Sequence, residues 1–431
     1  MHKKHCVILA MLLSGYLFAI PLTIFHTNDT HGVYTPRIIK SKDKTAELGG
    51  YPTLEYYLSL ERQKAARSLY LDAGDQQTGS IFASLKSGGA IGGEVIKVFN
   101  QLKLDATTFG NHEFDQSPAN TRKLIELANY PYVSSNLLDE TVKPFGGVPY
   151  RIFQLDSLKV GVMGLTLTEL PEKVKRENVA NLTILPYKQA IDRYIDDVDR
   201  QSDLVVILTH LGYEADSLLA TSLDNRVDLI IGGHSHVQIT EPWIVNGIYI
   251  TSAGSHSELL GKLELDVIND RIVSYKTTLI PLWKPAAMPK TTLNEYVKNL
   301  ADSLDKEMGK VIAIIPEDWK PDKFSSTALS EWAAMALCKE YTDLFHPDLS
   351  IINCGGLRKF IPEGPVTLGD MYELMPFNNY VVLFSCYGRD LLTMAELNEK
   401  HAVDKPYDIV QTANAGWAIG CWHGDLKLEK A

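Results

Sequence analysis

At 431 residues the chain exceeds what one ordinary hydrophobic core supports, so two domains are expected. Hydrophobic residues make up 45% and charged residues 22%, without a long low-complexity tract, which excludes a disordered or fibrous chain. The net charge of −11, from 42 basic and 53 acidic residues, argues against binding of nucleic-acid polymers and requires an anionic substrate to be attracted locally, by metals or a few arginines.

The chain opens with "MHKKHCVILAMLLSGYLFAI". Lys3 and Lys4 precede an apolar run over residues 7–20 that is short for a bilayer span. The pattern predicts a cleaved secretory signal over 1–19, with the cut after Ala19, and an exported protein: periplasmic, cell-surface or secreted. An uncleaved anchor is the second reading. Tyr16 stands after "LLSG" where a lipoprotein needs cysteine. No later segment has the length and apolarity of a membrane helix, so no integral membrane domain is expected. With Cys6 lost in the signal, Cys338, Cys354, Cys386 and Cys421 remain, at spacings that match no zinc pattern. Export permits disulfides, but four cysteines allow three pairings, and they are read as small buried residues.

From residue 20 to 281, short β-rich runs alternate with helical patterns: "LTIFHTND", "SLYLDAGD", "DATTFGNHEFD", "KVGVMGLT", "DLVVILTHLG", "DLIIGGHSH" and "IYITSAGSH". Most end in polar or glycine residues, the layout of an α/β protein whose site is assembled from loops at strand ends. The proline-rich "PLWKPAAMPK" (281–290) reads as a connector. Residues 291–310 read as a helix with a Thr291 cap, Glu295 in its first turn and Gly309 at its end, so 282–310 is linker and connecting helix. A second unit over 311–431 holds a helix around 327–341, the strand "LSIINCGG", the stretch "PVTLGDMYELMPFNNYVVLFS" and a helix near 390–401. The last stretch, "GWAIGCWHGDLKLEKA", has no assignable periodicity.

Five strand ends collect metal-ligand side chains: Asp29 and His31, Asp75, Asn111 and His112, His210, and His234 and His236. A lone histidine is more often a satisfied structural residue than a ligand. Five such clusters at strand-to-loop transitions reverse that reading. Mixed carboxylate and imidazole donors suit zinc, manganese or related ions without selecting sharply among them.

"FHTNDTHG", "DAGDQQTGS", "FGNHEFD" and "GGHSH" together resemble the calcineurin-like metallophosphoesterases, and their order and flanks are most similar to the exported 5′-nucleotidase branch. The resemblance covers roughly residues 22–280. It implies an α/β fold: a four-layer β-sandwich domain followed by a smaller α/β nucleotide-binding domain. It also implies two divalent metal ions. Asp29, His31 and His236 would hold the first, Asn111, His210 and His234 the second, and Asp75 would bridge both. Two metals ~4 Å apart can share a hydroxide in line with a phosphorus. His112 would pair with Asp115 as a catalytic dyad, stabilising phosphoryl oxygens or protonating the leaving group. Glu113 carries no implied role and reads as a local salt bridge or a helix N-terminal charge.

The stretch "INCGGLRKFIPEGPVTLGDMYELMPFNNY" is similar to that branch's C-terminal domain. By position, Asn353 and Arg358 would contact substrate, Phe377 would stack a base and Asn379 would bond its edge. Departures accompany the likeness. Lys323 in "KPDKFSSTALS" stands near where the family carries an Arg and a Glu. The family's "GGDGY"-like segment with a second aromatic is missing, so this domain reads as shortened; Trp417 and Trp422 lack matching flanks. The resemblance implies a nucleotide phosphohydrolase acting on 5′-nucleotides, UDP-sugars or cyclic nucleotides. The alternatives are the same metal site acting on a sulfonate-like or other non-nucleotide group, or a metal- and nucleotide-binding protein. The oligomeric state is left open.

Overall fold

The computed structural model describes residues 19–41, 44–322, 327–377, 379–404 and 410–413. The expected signal, Lys323, Trp417, Cys421 and Trp422 lie outside them, apart from Ala19 at the signal's end. The larger unit is built from β1 (Ile20–Thr27), β2 (Ser68–Asp72), β3 (Ala106–Thr107), β4 (Tyr150–Leu155), β5 (Leu158–Thr166), β6 (Leu204–His210), β7 (Leu229–Gly232), β8 (Trp243–Val245), β9 (Ile248–Thr251), β10 (Leu259–Val267) and β11 (Ile272–Pro281). They form a five-stranded sheet, β11-β10-β1-β2-β3, and a six-stranded sheet, β8-β9-β7-β6-β5-β4. β1, β2 and β3 run parallel in the first sheet, and β5, β6, β7 and β9 in the second.

Side-chain alternation divides each strand between two cores. Leu22 and Ile24 of β1, Leu69 and Leu71 of β2, Val160 and Val162 of β5, and Val206 and Leu208 of β6 meet in one buried cluster between the sheets. The intervening Phe25, Tyr70, Met163 and Ile207 face outward, into a second cluster with residues of the flanking helices such as Leu54, Phe99, Ile191 and Leu219. Burying each such side chain contributes about 1.5–3 kcal/mol. The result is helix, sheet, sheet and helix in four layers, the mixed α/β architecture expected.

The helix Thr292–Met308 forms close to its expected bounds, and Thr291 Oγ1 accepts the Asn294 N–H at 3.0 Å. Its Leu293, Val297 and Leu304 are buried in the outer cluster of the larger unit, so this connector is docked on it. In the smaller unit the helix Ala328–Phe345 extends beyond the expected end. Thr327 caps it, exchanging hydrogen bonds with Ser330 at 2.9 and 3.2 Å. Leu329, Ala333 and Ala334 then pack on Ile315, Ile352, Val366 and Leu374. Residues 380–387 adopt no regular structure, and Val382 and Phe384 are exposed. This corrects the buried reading for two of the cysteines. Cys386 lies exposed in that segment and Cys338 is half-buried; both are free thiols.

Candidate active site

The strands that run parallel all deliver polar residues at their C-terminal ends. Asp29 and His31 follow β1, Asp75 follows β2, and Asn111 and His112 follow β3. His210 ends β6, and His234 and His236 follow β7. The two sheets thus bring the seven donors expected from sequence to one cleft. Asp29, His31 and His236 form one triad of donor atoms; Asp75, His210 and His234 form another, with donor atoms within 4.8 Å of one another in each. Asn111 Oδ1 lies 3.0 Å from His234 Nδ1, joining the second group.

The loops approach so closely that glycine is required. A Cβ on Gly74 would stand 2.5 Å from Gly110 N, and one on Gly110 would stand 2.1 Å from Asp75 Oδ1. The donors themselves carry strain: Asp29, His31, Asp75, His234 and His236 have φ between 50° and 78°. Left-handed backbone is uncommon for residues other than glycine and clusters at functional sites.

Main-chain carbonyls orient the rings. His210 Nδ1 donates to Ala73 O at 2.8 Å, and His31 Nδ1 to Thr78 O at 2.9 Å. In the neutral ring Nε2 then carries the lone pair, on the side that faces the other donors. Asp75 Oδ1 accepts the His112 N–H at 2.8 Å, which turns Oδ2 toward His210 Nε2 at 3.1 Å. That approach lacks hydrogen-bond alignment, and His210 Nε2 is buried with no partner among the described residues. His31 Nε2 and His236 Nε2 lie 3.1 Å apart, and His236 Nε2 lies 3.4 Å from Asp29 Oδ1. In neutral rings whose Nδ1 carries the proton, these faces are lone pairs and repel. Two ligands of one tetrahedral zinc-like ion stand about 3.3 Å apart, so these spacings fit a cation between them. The electrostatics agree. Burial alone would lower the His210 pKa, but Asp75 and Asp29 push it up to about 10. Burial would raise the Asp75 carboxyl, yet His210 and His112 hold it well below the usual range. The site calls for positive charge, and the donor set fits divalent metal ions.

His112 and Asp115 meet as expected, Nδ1 to Oδ2 at 2.6 Å. Burial would lower the His112 pKa, but Asp115 and Asp75 carry it up to about 9. Glu113 corrects the sequence reading. It is buried, and its partners are main-chain N–H groups: Oε2 accepts from Asp75 at 3.0 Å and Gly110 at 2.7 Å, and Oε1 from Gln76 at 2.8 Å and Gln77 at 3.3 Å. One carboxylate therefore ties the Asp75 loop to the Asn111–His112 loop. Behind it, Asp72 accepts from Thr27, Gln76 and Thr107, and Tyr130 donates to Gln76. Sequence reasoning missed both features; acidic residues flanking the metal motifs were the available signal.

The smaller unit closes a cleft of about 2120 Å³ lined by Asp75, Asn111, His112, His234, His236, Asn353, Arg358, Phe377 and Asn379. Asn353 and Asn379 are exposed on its wall. The Phe377 ring stacks on His112, centroids 5.5 Å apart and planes 18° apart, and the Arg358 guanidinium lies 5.5 Å from the Phe377 centroid. Phe377 thus has one face on the dyad. Volume does not restrict the substrate, since typical ligand pockets span about 300–1,000 Å³.

A calcineurin-like phosphoesterase model matches residues 22–238, half of the chain and the part that bears the seven donors and the His112–Asp115 pair. The chain belongs to that family. A model of the 5′-nucleotidase C-terminal domain matches residues 308–416. With its 5′-nucleotidase relatives, this membership makes the chain a metal-dependent phosphoric monoester hydrolase. It is 25% identical over 419 residues to a trifunctional nucleotide phosphoesterase of Bacillus subtilis, covering 86% of this chain and 27% of that protein. It is 25% identical over 434 residues to a 5′-nucleotidase of Vibrio cholerae, covering 89% of this chain and 76% of that protein. The crystal structure of a 5′-nucleotidase precursor from Thermus thermophilus superposes with a TM-score of 0.82 at 24% identity, over 91% of this chain and 81% of that one, which establishes the shared fold. Among the described residues, no helix is long and apolar enough to cross a membrane.

Proposed function

We propose that this chain is an exported nucleotide phosphohydrolase that removes phosphate from 5′-nucleotides, with UDP-sugars and 2′,3′-cyclic nucleotides as further substrates of the same cleft. The observation that carries the reading is the clustering of the seven metal donors beside the His112–Asp115 pair, at a cleft that Arg358 also lines. Relatives named for nucleotide hydrolysis support it.

Two divalent cations would suit the site: Asp29, His31 and His236 would hold one, Asn111, His210 and His234 the other, and Asp75 would serve both. Bound there, such cations supply Lewis acidity toward phosphoryl oxygens and activation of a water. The chain's own residues do the rest. Asp115 holds His112 Nδ1–H, which leaves Nε2 to carry a proton to the leaving oxygen or to stabilise phosphoryl charge. Arg358, its N–H bonded to Leu374 O at 2.8 Å, offers a planar fork to anionic oxygens. Phe377 and Asn379 offer a stacking face and an amide to the base, and Asn353 a further polar contact.

Product formation tests this, with and without added Mn²⁺ or Zn²⁺: phosphate from AMP, UMP and a sugar phosphate from UDP-glucose, and a ring-opened nucleoside monophosphate from 2′,3′-cyclic AMP. Metal-dependent release from AMP is expected. Release from an aryl phosphate but from none of the nucleotides moves the substrate outside that class. Metal and AMP binding without release from any ester makes the chain a binding protein.

A further inference from the structure

One histidine beside the first donor triad is used neither by the donor set nor by the dyad. His256 lies in the turn after β9, with φ of 58°, and Ser257 beside it has φ of 53°. Among the described histidines, His31, His234, His236, His256 and His346 share positive φ. The first three supply metal donors, and His346 ends the helix Ala328–Phe345, where left-handed backbone is usual. His256 has no such local reason. Strained backbone that persists is held by its surroundings, and here the His256 N–H donates to Asp29 O at 2.8 Å, so the loop that presents Asp29 also fixes His256.

The ring stands beside the first donor triad without joining it. Its centroid is 5.4 Å from those of both His31 and His236. His112 flanks the same His31 ring at 5.2 Å. His256 Nδ1 is taken by Ser255 Oγ at 2.8 Å, and Nε2 has no hydrogen-bond partner among the described residues. Arg358 lies within electrostatic reach of both His112 and His256. A tetrahedral phosphoryl group has more oxygens than one dyad can meet, and a second imidazole near the same cations is placed to bond another.

We propose that His256 Nε2 binds a non-bridging oxygen of the phosphoryl group seated in the cleft, making it a further substrate-binding residue. This rests on the phosphohydrolase reading above.

The test uses the full chain loaded with Mn²⁺ and inorganic phosphate as the probe, measured by calorimetry, beside metal content and AMP kinetics. His256→Asn is the informative variant. Asparagine tolerates left-handed backbone and keeps a polar atom near Ser255, but removes Nε2. Loss of one hydrogen bond to a charged group predicts phosphate binding about 10–100-fold weaker, with metal content unchanged. His256→Gln, which restores a reaching amide, should recover most of that loss. His256→Asn binding phosphate like wild type would overturn the proposal, as would loss of metal from it, which would assign the ring to the cations. Wild-type protein that neither binds phosphate nor hydrolyses any ester refutes the phosphohydrolase reading itself, and this inference with it.

Discussion

Replacing Glu113 by glutamine tests how the loops are held. Each carboxylate oxygen accepts two main-chain N–H groups, Oε1 those of Gln76 and Gln77, and Oε2 those of Asp75 and Gly110. Glutamine keeps one oxygen and turns an NH₂ toward the other pair, so two buried donors lose their acceptor. At about 1–3 kcal/mol each, the cost is about 2–6 kcal/mol. In a domain of this size that lowers the melting temperature by roughly 5–20 °C. Function suffers through Asp75. Its φ of 55° is strained, and without the bond to its N–H the aspartate is freer to leave the position that faces His210. Thermal melts with and without Mn²⁺, together with a Mn²⁺ titration, read both effects. Glu113→Gln should melt lower, bind Mn²⁺ at least tenfold more weakly, and regain part of its melting temperature as metal is added. A melt within about 2 °C of wild type, with unchanged Mn²⁺ affinity, would refute the reasoning.

Asp75→Asn should lose both metal content and nearly all hydrolysis, because in the proposed arrangement Asp75 would serve both cations; elemental analysis and phosphate release check it, and retention of both contradicts the assignment. His112→Asn should keep its metal content while kcat falls about 10²–10⁴-fold, the range of a positioned acid or base; metal loss would instead place His112 among the ligands. Phe377→Ala should raise KM for AMP about tenfold, as expected for lost base stacking, and leave hydrolysis of an aryl phosphate nearly unchanged. Equal losses of kcat on both substrates would assign the ring to its stack on His112.

Much of the site was legible because strand ends announce themselves. An apolar run that stops at Asp, Asn or His places that residue at the rim of a sheet, and parallel pairing of β1, β2 and β3 and of β6 and β7 brings the rims together. The His112–Asp115 pair was legible from spacing, since one short turn joins the two. Glu113 was not, because accepting main-chain N–H groups leaves no signature in residue type. His256 was hidden for a related reason: its conformation is set by a bond to Asp29, 227 positions earlier in a chain of 431. Phe377 was read as a base-stacking residue from its motif. Its contact with His112 depends on how the smaller unit sits over the cleft, which no local pattern encodes.

The central claim, that this cleft hydrolyses nucleotides with two cations, is tested most directly by titrating chelator-stripped protein with Mn²⁺ while following bound metal and phosphate release from AMP together. No release is expected from stripped protein, and activity should rise to its plateau as two equivalents bind. Release that persists without metal, or none with two equivalents bound, would contradict it.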